Sequence, residues 1–511
     1  MGNLTSSLGI GLSGLQASQE AMSVIGHNIA NVNTPGYSQQ SAVLTTNPTQ
    51  DYGNLIFGTG VNVASIQSMR DQFLNLQVTS SISSQSGAQT RYNGVQAVSS
   101  AYQDNGTTGL NSQLSAFFSS LQTLSADPED MSLRQNVVGT AQTLVQEFKS
   151  VYQTTTAQIQ STNQQVQSLV PEINTLTTQI ASLNQQITNQ VDPNAANDAI
   201  DQRQQLTDKL ANLVGIQVST DSAGNYQVTL DSGAATLVSG SASYQMAATP
   251  ETNGSGMYAV GVTSGNASID VTGKISGGEL GGDLDLRDNI LPGYQTQLDQ
   301  IAGSLADQMN TQNLAGAGLN SNGNYVAGSL VFTTTGTTQP SIDPVTGQVT
   351  TSGGVPDYTG IVNALQVNPA LVSNPGLIAC AGKTTVGGVT TSNGDGDNTN
   401  ILAMVNLQTA TNTVDTSGTG TFSSGPFSTV ISGLINKVGT QAQSFDTTAT
   451  NQENLTTALQ TQKTSVSGVD LDTQAAQLLA FQQAYQASAQ FLSTISQLTN
   501  QLMSVMTTAT A

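Results

Sequence analysis

Both ends of this chain are almost free of charge and carry apolar residues at seven-residue spacing. Residues 1–50 contain one charged side chain, Glu20, and residues 471–511 contain one, Asp472. Such a spacing predicts two amphipathic helices, each of which must bury an apolar seam against another helix. The residues of the two predicted seams are Leu8, Leu15, Met22, Ile25 and Ile29 near the start, and Leu471, Leu478, Phe481, Tyr485, Leu492, Ile495 and Leu502 near the end.

The other faces of these two helices are polar but uncharged. They hold Ser, Gln, Ala, Thr and Asn, where an isolated two-stranded coiled coil usually carries Glu and Lys. Small neutral side chains allow neighbours to pack on several sides. Short helices are also marginal in water without tertiary packing, so we expect both ends to fold as an assembly forms.

The chain is strongly acidic although it holds few charges. Its 11 Lys and Arg against 32 Asp and Glu give a net charge of −21, and charged residues make up only 8% of the sequence. This balance argues against nucleic acid and anionic membranes as partners, because both are bound through Lys and Arg. No run of about 18 apolar residues occurs, so we expect no membrane insertion. The first residues lack the pattern of a secretory signal, so we expect any export to leave no cleaved peptide.

The chain has few of the residue types that catalytic and metal sites commonly use. The single His27 and the single Cys380 exclude a site built on a pair of histidines and a Cys–His dyad backed by a second histidine. His27 could in principle serve a Ser-His-Asp triad, but it lies in a predicted assembly helix and is interpreted as structural. We therefore predict a protein that is not an enzyme and that needs no cofactor or metal.

Two acidic stretches could suggest other sites. One could supply the paired carboxylates of a glycosidase, but is better interpreted as a solvated helix start with Arg287 as partner. Its acids are Glu279, Asp283, Asp285 and Asp288. Residues 393–398 resemble a calcium loop, yet Asn398 and Met404 stand where an EF-hand needs Gly and Glu, so an Asx-rich loop is preferred.

The middle of the chain alternates between helical and strand-like patterns. The longest predicted helix covers residues 132–190, and its regular apolar seam at 152–187 indicates core packing in a helical bundle, with a free coiled-coil arm as the alternative. Pro171 inside this helix predicts a kink or a break near Val170. Further helices are predicted at 69–102, 110–124, 197–214, 281–313, 400–407 and 427–462. Residues 55–66 are predicted to form a hairpin with glycines at its turn, and 192–194 a turn between helices.

These patterns predict a multidomain α+β protein. Its N- and C-terminal helices form an α-helical coiled-coil or bundle core, from which β-rich outer domains project as insertions. The predicted parts are a terminal coiled-coil domain of 1–40 with 465–511, a helical bundle of 41–215 with 273–324 and 399–464, a β-rich insert at 216–272 and a variable β-rich insert at 325–398.

A turn is expected directly after the first helix, at Asn33, Thr34, Pro35, Gly36 and Tyr37. Pro35 disfavours helical geometry at Thr34, and Gly36 can take the positive φ that a type II turn requires at its third position. Residues 28–37 together resemble the signature shared by bacterial flagellar rod, hook and hook-associated proteins. The side chains of Tyr37 and Tyr485 could be packing anchors or could contact a neighbouring subunit, and the sequence leaves both possibilities open.

Three further stretches resemble the hook-associated protein 1 branch of that family. They are residues 199–206, residues 276–288, and residues 467–472 with 481–489. The resemblance implies a structural component of the bacterial flagellum that forms a ring of subunits at the junction between hook and filament. It implies type III export, an extracellular location, and partners that are other copies, the hook protein, another hook-associated junction protein and an export chaperone on the C-terminal helix.

Two alternatives remain beside this interpretation. Within the same family, the chain could be a hook or distal rod protein, although the long 152–187 seam and the 276–282 glycine motif argue against that. A protein of another class, a secreted coiled-coil adhesin or effector with ligand-binding β inserts, would keep both end helices folded as a monomer.

Overall fold

The computed structural model describes residues 2–52, 55–190, 196–252, 254–265, 267–335, 340–352, 355–386, 389–394, 396–415 and 422–509. The chain divides into two compact units. The first comprises residues 1–87, 167–281 and 450–511, and the second comprises residues 88–166 and 282–449. The four-part division predicted from the sequence remains a prediction, since each unit groups several of its parts. The fold class is the predicted one, a multidomain α+β protein with long helices at both ends.

Helices dominate both units. They are α1 (Gly2–Ala30), α2 (Gln72–Tyr102), α3 (Leu110–Ala126), α4 (Met131–Thr188), α5 (Asn197–Leu213), α6 (Gly278–Asp285), α7 (Leu291–Ala315), α8 (Ile361–Ala364), α9 (Pro369–Ser373), α10 (Thr399–Asn406), α11 (Phe427–Ser467) and α12 (Leu471–Ala509). A π-helical turn at Leu286–Ile290 separates α6 from α7. The helices predicted from apolar periodicity are confirmed with their ends displaced by a few residues.

Helix α4 runs without a break through Pro171. A break near Val170 is therefore wrong, although a proline inside a helix costs about 3 kcal/mol, and a kink there stays a prediction. Pro171 lies on the exposed side, while Val166, Val170 and Ile173 around it are buried, so packing on both sides of the proline holds the helix together. The seam from Ile159 onward is buried within the chain, which favours core packing over a free arm.

The strands are short and pair in an antiparallel manner. They are β1 (Gln40–Thr46), β2 (Gln50–Tyr52), β3 (Leu55–Phe57), β4 (Val61–Ser68), β5 (Ile216–Thr220), β6 (Tyr226–Leu230), β7 (Thr236–Ser239), β8 (Ala242–Ser243), β9 (Met246–Pro250), β10 (Tyr258–Ser264), β11 (Ala267–Asp270), β12 (Gly316–Leu319), β13 (Tyr325–Ala327), β14 (Phe332–Thr334), β15 (Thr351–Ser352), β16 (Val355–Pro356), β17 (Leu365–Val367), β18 (Ala381–Gly382), β19 (Thr384–Val386), β20 (Val389–Thr391), β21 (Asn412–Asp415) and β22 (Phe422–Gly425).

The predicted hairpin at residues 55–66 is wrong. Strand β3 pairs with β2 and strand β4 pairs with β1. Each strand of that segment therefore pairs with an earlier strand of the chain, and the two do not pair with each other. The glycines Gly58 and Gly60 lie between two successive ladders instead of at a hairpin tip. The predicted turn at 192–194 lies outside the described residues.

In the first unit, the buried Asn184 and the half-buried Asn174 of α4 hold the β segments. Asn184 donates to the carbonyls of Tyr226 at 2.9 Å and Gly240 at 2.8 Å, and it accepts from the Tyr226 amide at 3.1 Å. Asn174 makes a matching pair of 2.8 Å bonds with the amide and carbonyl of Met246. The strand order is β5-β6-β7-β8 in one sheet and β11-β10-β9 in another.

In the second unit, α7 presents a stripe of polar side chains to the segment 328–379. Asn310 accepts from the amides of Val331 and Phe332, both at 2.8 Å, and donates to the carbonyls of Phe332 and Gly347. Asn313, equally buried, accepts from the Ala379 amide at 2.8 Å. These amide side chains take the place of a β-sheet partner for backbone that forms no long strand.

The same stripe includes a buried carboxylate, Asp299, which accepts from the amides of Gly360 at 2.8 Å and Val362 at 3.0 Å. Burial raises the pKa of Asp299 to about 7, although the two amides oppose that rise. The segment is thus held through its main chain by side chains of one helix.

We expect Asn310→Ala to loosen this attachment. The change leaves two amides and two carbonyls of buried backbone without partners, and each such group costs about 1–3 kcal/mol. Hydrogen exchange should report a free energy of opening at least about 4 kcal/mol lower at Val331 and Phe332. The exposed Asn363 supplies the control, since Asn363→Ala should change these amides by less than about 0.5 kcal/mol. Equal protection in both variants would show that Asn310 does not carry the attachment.

Candidate assembly interface

The first and last helices pack against each other, and we call α1 and α12 the terminal pair. Their contact is close because α1 presents glycines. A Cβ placed at Gly11 would lie 2.9 Å from Leu492 Cδ2, and one at Gly14 would lie 3.1 Å from Ser488 Oγ. Alanine at Gly11 would therefore force Leu492 to move, so the absence of a side chain sets the distance between the helices.

The predicted seams are covered only in part by this contact. On α1, Ile25 is buried, Leu15, Met22 and Ile29 are half-buried, and Leu8 is exposed. On α12 the half-buried seam residues are Leu478, Phe481, Tyr485, Leu492 and Ile495, and the exposed ones are Leu471 and Leu502. The role of these residues as an assembly seam remains a prediction.

The buried face of α1 is built mainly from small residues, which the heptad analysis missed. Ala17, Ser18 and Ala21 are buried together with Val24 and Ile25. The available signal was the spacing of Gly11, Gly14, Ser18 and Ala21 by three or four residues, which places small side chains on one helix face. Small residues that face inward leave larger apolar ones outside.

A row of apolar side chains on α12 stays exposed. We call Phe491, Leu498, Leu502 and Val505 the exposed stripe, since their spacing of seven, four and three places them on one side of the helix. Leu498 and Leu502 are each 47% exposed. Leu8 and Leu12 on α1 are exposed as well. Helices that keep such rows in water have surface left to bury.

The turn after α1 has the predicted geometry. Gly36 has φ of 75°, and the amide of Tyr37 donates to the carbonyl of Thr34 at 3.2 Å, as in a type II turn with Pro35 at its second position. A Cβ at Gly36 would overlap the side chain of Gln205 on α5. Glycine is thus required at this position both for the backbone and for the contact.

Asn28, which is 1% exposed, joins three elements near this turn. Its Oδ1 accepts from Tyr37 Oη at 2.8 Å and from the Gln40 amide at 2.9 Å. Its Nδ2 donates to the Gln40 carbonyl and to Gln474 Oε1 on α12, both at 2.8 Å. We call this group the Asn28 hub, and it ties α1 to the turn, to β1 and to α12.

The half-buried Tyr37 bonds to two residues of α1 at this point. Its Oη also lies 3.1 Å from His27 Nδ1, and the two rings meet edge to face. Burial, with the charges of Asp198 and Asp201, raises the pKa of Tyr37 to about 12. These contacts favour the packing-anchor interpretation of Tyr37, while Tyr485 lies half-buried on the terminal pair.

A carboxylate of α5 secures the other side of the turn. Asp201 accepts from the amide of Ser38 at 2.8 Å and from its Oγ at 2.9 Å, and it lies 3.2 Å from Arg70 Nε. Burial raises the pKa of Asp201, against the opposing effects of Arg70 and Ser38. Residues 28–37 and 199–206, which were singled out separately in the sequence, therefore meet in space.

The connection between α11 and α12 is fixed in the same region. The Gln39 amide donates to the carbonyl of Ser467 at 2.8 Å. At the start of α12, Asp470 accepts from the Asp472 amide at 3.1 Å and from Thr473 Oγ1 at 2.6 Å, as an N-cap. The third sequence motif, 467–472, thus sets where the last helix begins.

The other acidic candidates are engaged structurally. Asp283 is buried, which corrects the expectation of a solvated helix start, and Asp285 pairs with Arg91 at 2.6 Å. Arg287 pairs with Asp288 at 2.7 Å. In the 393–398 loop, Asp397 accepts from the Gly382 amide, while Asp395 lies outside the described residues.

The described residues contain neither a metal-binding cluster nor a membrane-spanning helix. No group of three or more His, Cys, Asp or Glu side chains is placed there to hold a metal ion. None of the helices in that part of the chain combines the length and the apolar character needed to cross a membrane.

We expect Asn28→Ala to release α12 from the rest of the first unit. Loss of the hub leaves the buried Gln474 side chain and the Gln40 backbone without partners, at a cost of about 2–4 kcal/mol. Hydrogen exchange at residues 474–481 should accelerate accordingly. Asn33→Ala, at an exposed position of the same turn, should leave those amides unchanged. If the two variants behave alike, the hub does not dock the last helix.

Three families of flagellar proteins match separate parts of the chain. Residues 95–331 match the family described as "Flagellar hook-associated protein FlgK helical domain". Residues 8–37 match "Flagella basal body rod protein", and residues 460–505 match "Flagellar basal body rod FlgEFG protein C-terminal". The last two matches contain the turn motif and the terminal helices.

Relatives and one solved structure cover most of the chain. It is 28% identical to flagellar hook-associated protein 1 of Escherichia coli (strain K12), over 97% of this chain and 98% of that protein. Its identity to flagellar hook-associated protein 1 of Bacillus subtilis (strain 168) is 24%, over 94% of each. The structure of the flagellar hook junction protein FlgK from Burkholderia pseudomallei has the same fold, with a TM-score of 0.62 and 21% identity over 76% of this chain and 100% of that one. The chain is thus similar to flagellar hook-associated protein 1 over nearly its whole length.

Proposed function

We propose that this protein is a structural component of the bacterial flagellum, placed outside the cell at the junction between hook and filament. Copies of the chain form a ring there through their terminal pairs. The observation that carries the proposal is the terminal pair itself, which packs internally through small residues and leaves the exposed stripe outward. Similarity to flagellar hook-associated protein 1 supports the flagellar context.

The exposed stripe supports assembly on energetic grounds. Burial of apolar surface stabilises an interface by about 25 cal/mol per Å². A single helix that repeats Leu and Phe at exposed positions can bury that surface against an equivalent helix of the next copy, or against another axial protein. The stripe carries no charge, so such contacts need no counterion and no complementary charged partner.

The Asn28 hub and the turn give the second line of support. They fix α12 relative to α1 and α5 through buried hydrogen bonds within one subunit. A subunit can then present its terminal pair in one orientation to its neighbours. In this proposal the seam residues mediate subunit contacts and the turn motif positions them.

The partners follow from the same arrangement. Other copies of the chain, the hook protein and another hook-associated junction protein contact the terminal pairs in the assembled structure. Before assembly, an export chaperone covers the C-terminal helix, whose exposed stripe would otherwise associate too early. The protein works without catalysis: its function is to hold other subunits in place.

We expect the double variant Leu498→Gln with Leu502→Gln to lose self-association while the subunit stays folded. Each side chain has about half of its surface left to bury, so the pair should weaken association by about 2 kcal/mol, or roughly thirtyfold. Sedimentation velocity over a range of concentrations measures this change. Both residues are exposed, so thermal unfolding should shift little.

The matched control changes the neighbouring polar positions. Gln497→Ala with Gln501→Ala alters the same two turns of α12, at residues that are also exposed. This variant should associate like the natural protein. If both double variants lose self-association equally, a change in helix content explains the loss, and the exposed stripe does not.

The location is tested by labelling. An epitope tag placed in the exposed turn at residues 321–324 should be seen by immunogold microscopy as one narrow band between hook and filament. Label along the whole hook would favour a hook or rod protein. Label on the cell surface without flagella would favour a secreted adhesin, and either result would overturn the junction assignment.

A further inference from the structure

A cavity of about 450 Å³ in the first unit collects positive charge in an acidic chain. Two of the chain's 11 basic residues, Arg70 and Arg203, line it, and the described lining residues include no Asp or Glu. The remaining lining is largely made of hydrogen-bonding side chains: Gln67, Ser68, Gln72, Asn75, Asn197 and Thr220. A chain with 32 acids would not collect this set by composition alone.

Arg70 already has its counterion. Its Nε lies 3.2 Å from Asp201 Oδ1, and its NH2 group donates to Asn197 Oδ1 at 2.9 Å. The Asp201 carboxylate is further occupied by Ser38. Asp201 is therefore not available to neutralise a second guanidinium.

Arg203 has no such counterion among the described residues. It is 3% exposed, and no described carboxylate forms an ion pair with it. Its NH1 group donates to Asn184 Oδ1 at 2.8 Å and to the Gly224 carbonyl at 3.0 Å, and its Cζ lies 3.8 Å from the centre of the Tyr226 ring. The nearby Asp221 carboxylate is occupied by the amides of its own turn.

One donor of this guanidinium is left over. Arg203 Nε is buried and has no hydrogen-bond partner among the described residues. Burial lowers the pKa of Arg203 and the charge of Arg70 lowers it further, against the opposing effects of Tyr226 and Asp221. A buried cation with an unused N–H, beside a second cation, is stabilised by an anion that accepts that bond.

We propose that this cavity binds a carboxylate group on the unused edge of the Arg203 guanidinium. Guanidinium and carboxylate match as paired donors and acceptors, and the amide and hydroxyl side chains around them can bind the remaining oxygens. The carboxylate belongs either to a small polycarboxylic acid in solution or to an Asp or Glu side chain of a second copy. The site itself does not depend on the flagellar function.

Citrate is the probe for this site. Calorimetric titration of the dilute full-length monomer, at constant ionic strength, should show one citrate bound per chain. Gln72→Glu places a carboxylate at the cavity wall while Arg203 stays in place, and should weaken citrate binding at least tenfold. Gln77→Glu adds the same charge on α2 at an exposed position outside the cavity, and should bind like the natural protein.

A second variant tests the guanidinium directly. Arg203→Lys keeps the charge but loses the planar pair of donors, and should also bind at least tenfold more weakly. Circular dichroism checks that Arg203→Lys folds. If this variant does not fold, citrate binding by Gln72→Glu alone tests the site. Absence of citrate binding by the natural protein, or equal binding by Gln72→Glu and Gln77→Glu, overturns the proposal.

Once binding is established, self-association identifies the source of the carboxylate. If citrate at constant ionic strength inhibits association of the natural protein but not of Gln72→Glu, an acidic side chain of a second copy occupies the site. If association is unaffected, the ligand is a free polycarboxylate. Both results support the site. The labelling experiment on flagella tests the proposed function independently of them.

Discussion

Buried amide side chains hold the irregular backbone of this protein in place. Asn28, Asn184 and Asn310 each donate two hydrogen bonds, and each accepts at least two more. An amide offers donors and acceptors together and carries no charge, so it can be buried without the desolvation cost of an ion. In a chain with only 8% charged residues, buried amides make the long-range polar contacts that salt bridges make in other proteins.

The terminal pair depends on one such amide. Close contact of α1 with α12 at Gly11 allows little adjustment, since Leu492 already fills the space. The direction of α12 is then set where Gln474 meets Asn28, about five helical turns before Leu492 in α12. Small residues inside and large apolar residues outside are unusual for a monomer but natural for a subunit whose neighbours complete its core.

Much of the helical architecture could be predicted from the sequence, because apolar periodicity survives over long segments. The turn at Pro35 and Gly36 was equally accessible, since both residues restrict the backbone locally. The Asn28 hub could not be predicted from the sequence, because a single amide inside a helix leaves no periodic signal and its partner Gln474 lies 446 residues away. The pairing of β2 with β3 was missed for a related reason: three-residue strands carry too little pattern to fix a register. Pro171 shows the opposite case, a strong local signal that packing overrides.

The polar stripe of α7 has a consequence for how this protein can change over evolutionary time. Asn310, Asn313 and Asp299 bind backbone amides and carbonyls of the 328–379 segment, and those groups are present whatever side chains the segment carries. Substitutions in its exposed loops therefore leave these bonds intact. A surface secured in this way can therefore exchange its exposed side chains freely, provided that Asn310, Asn313 and Asp299 on the helix are kept.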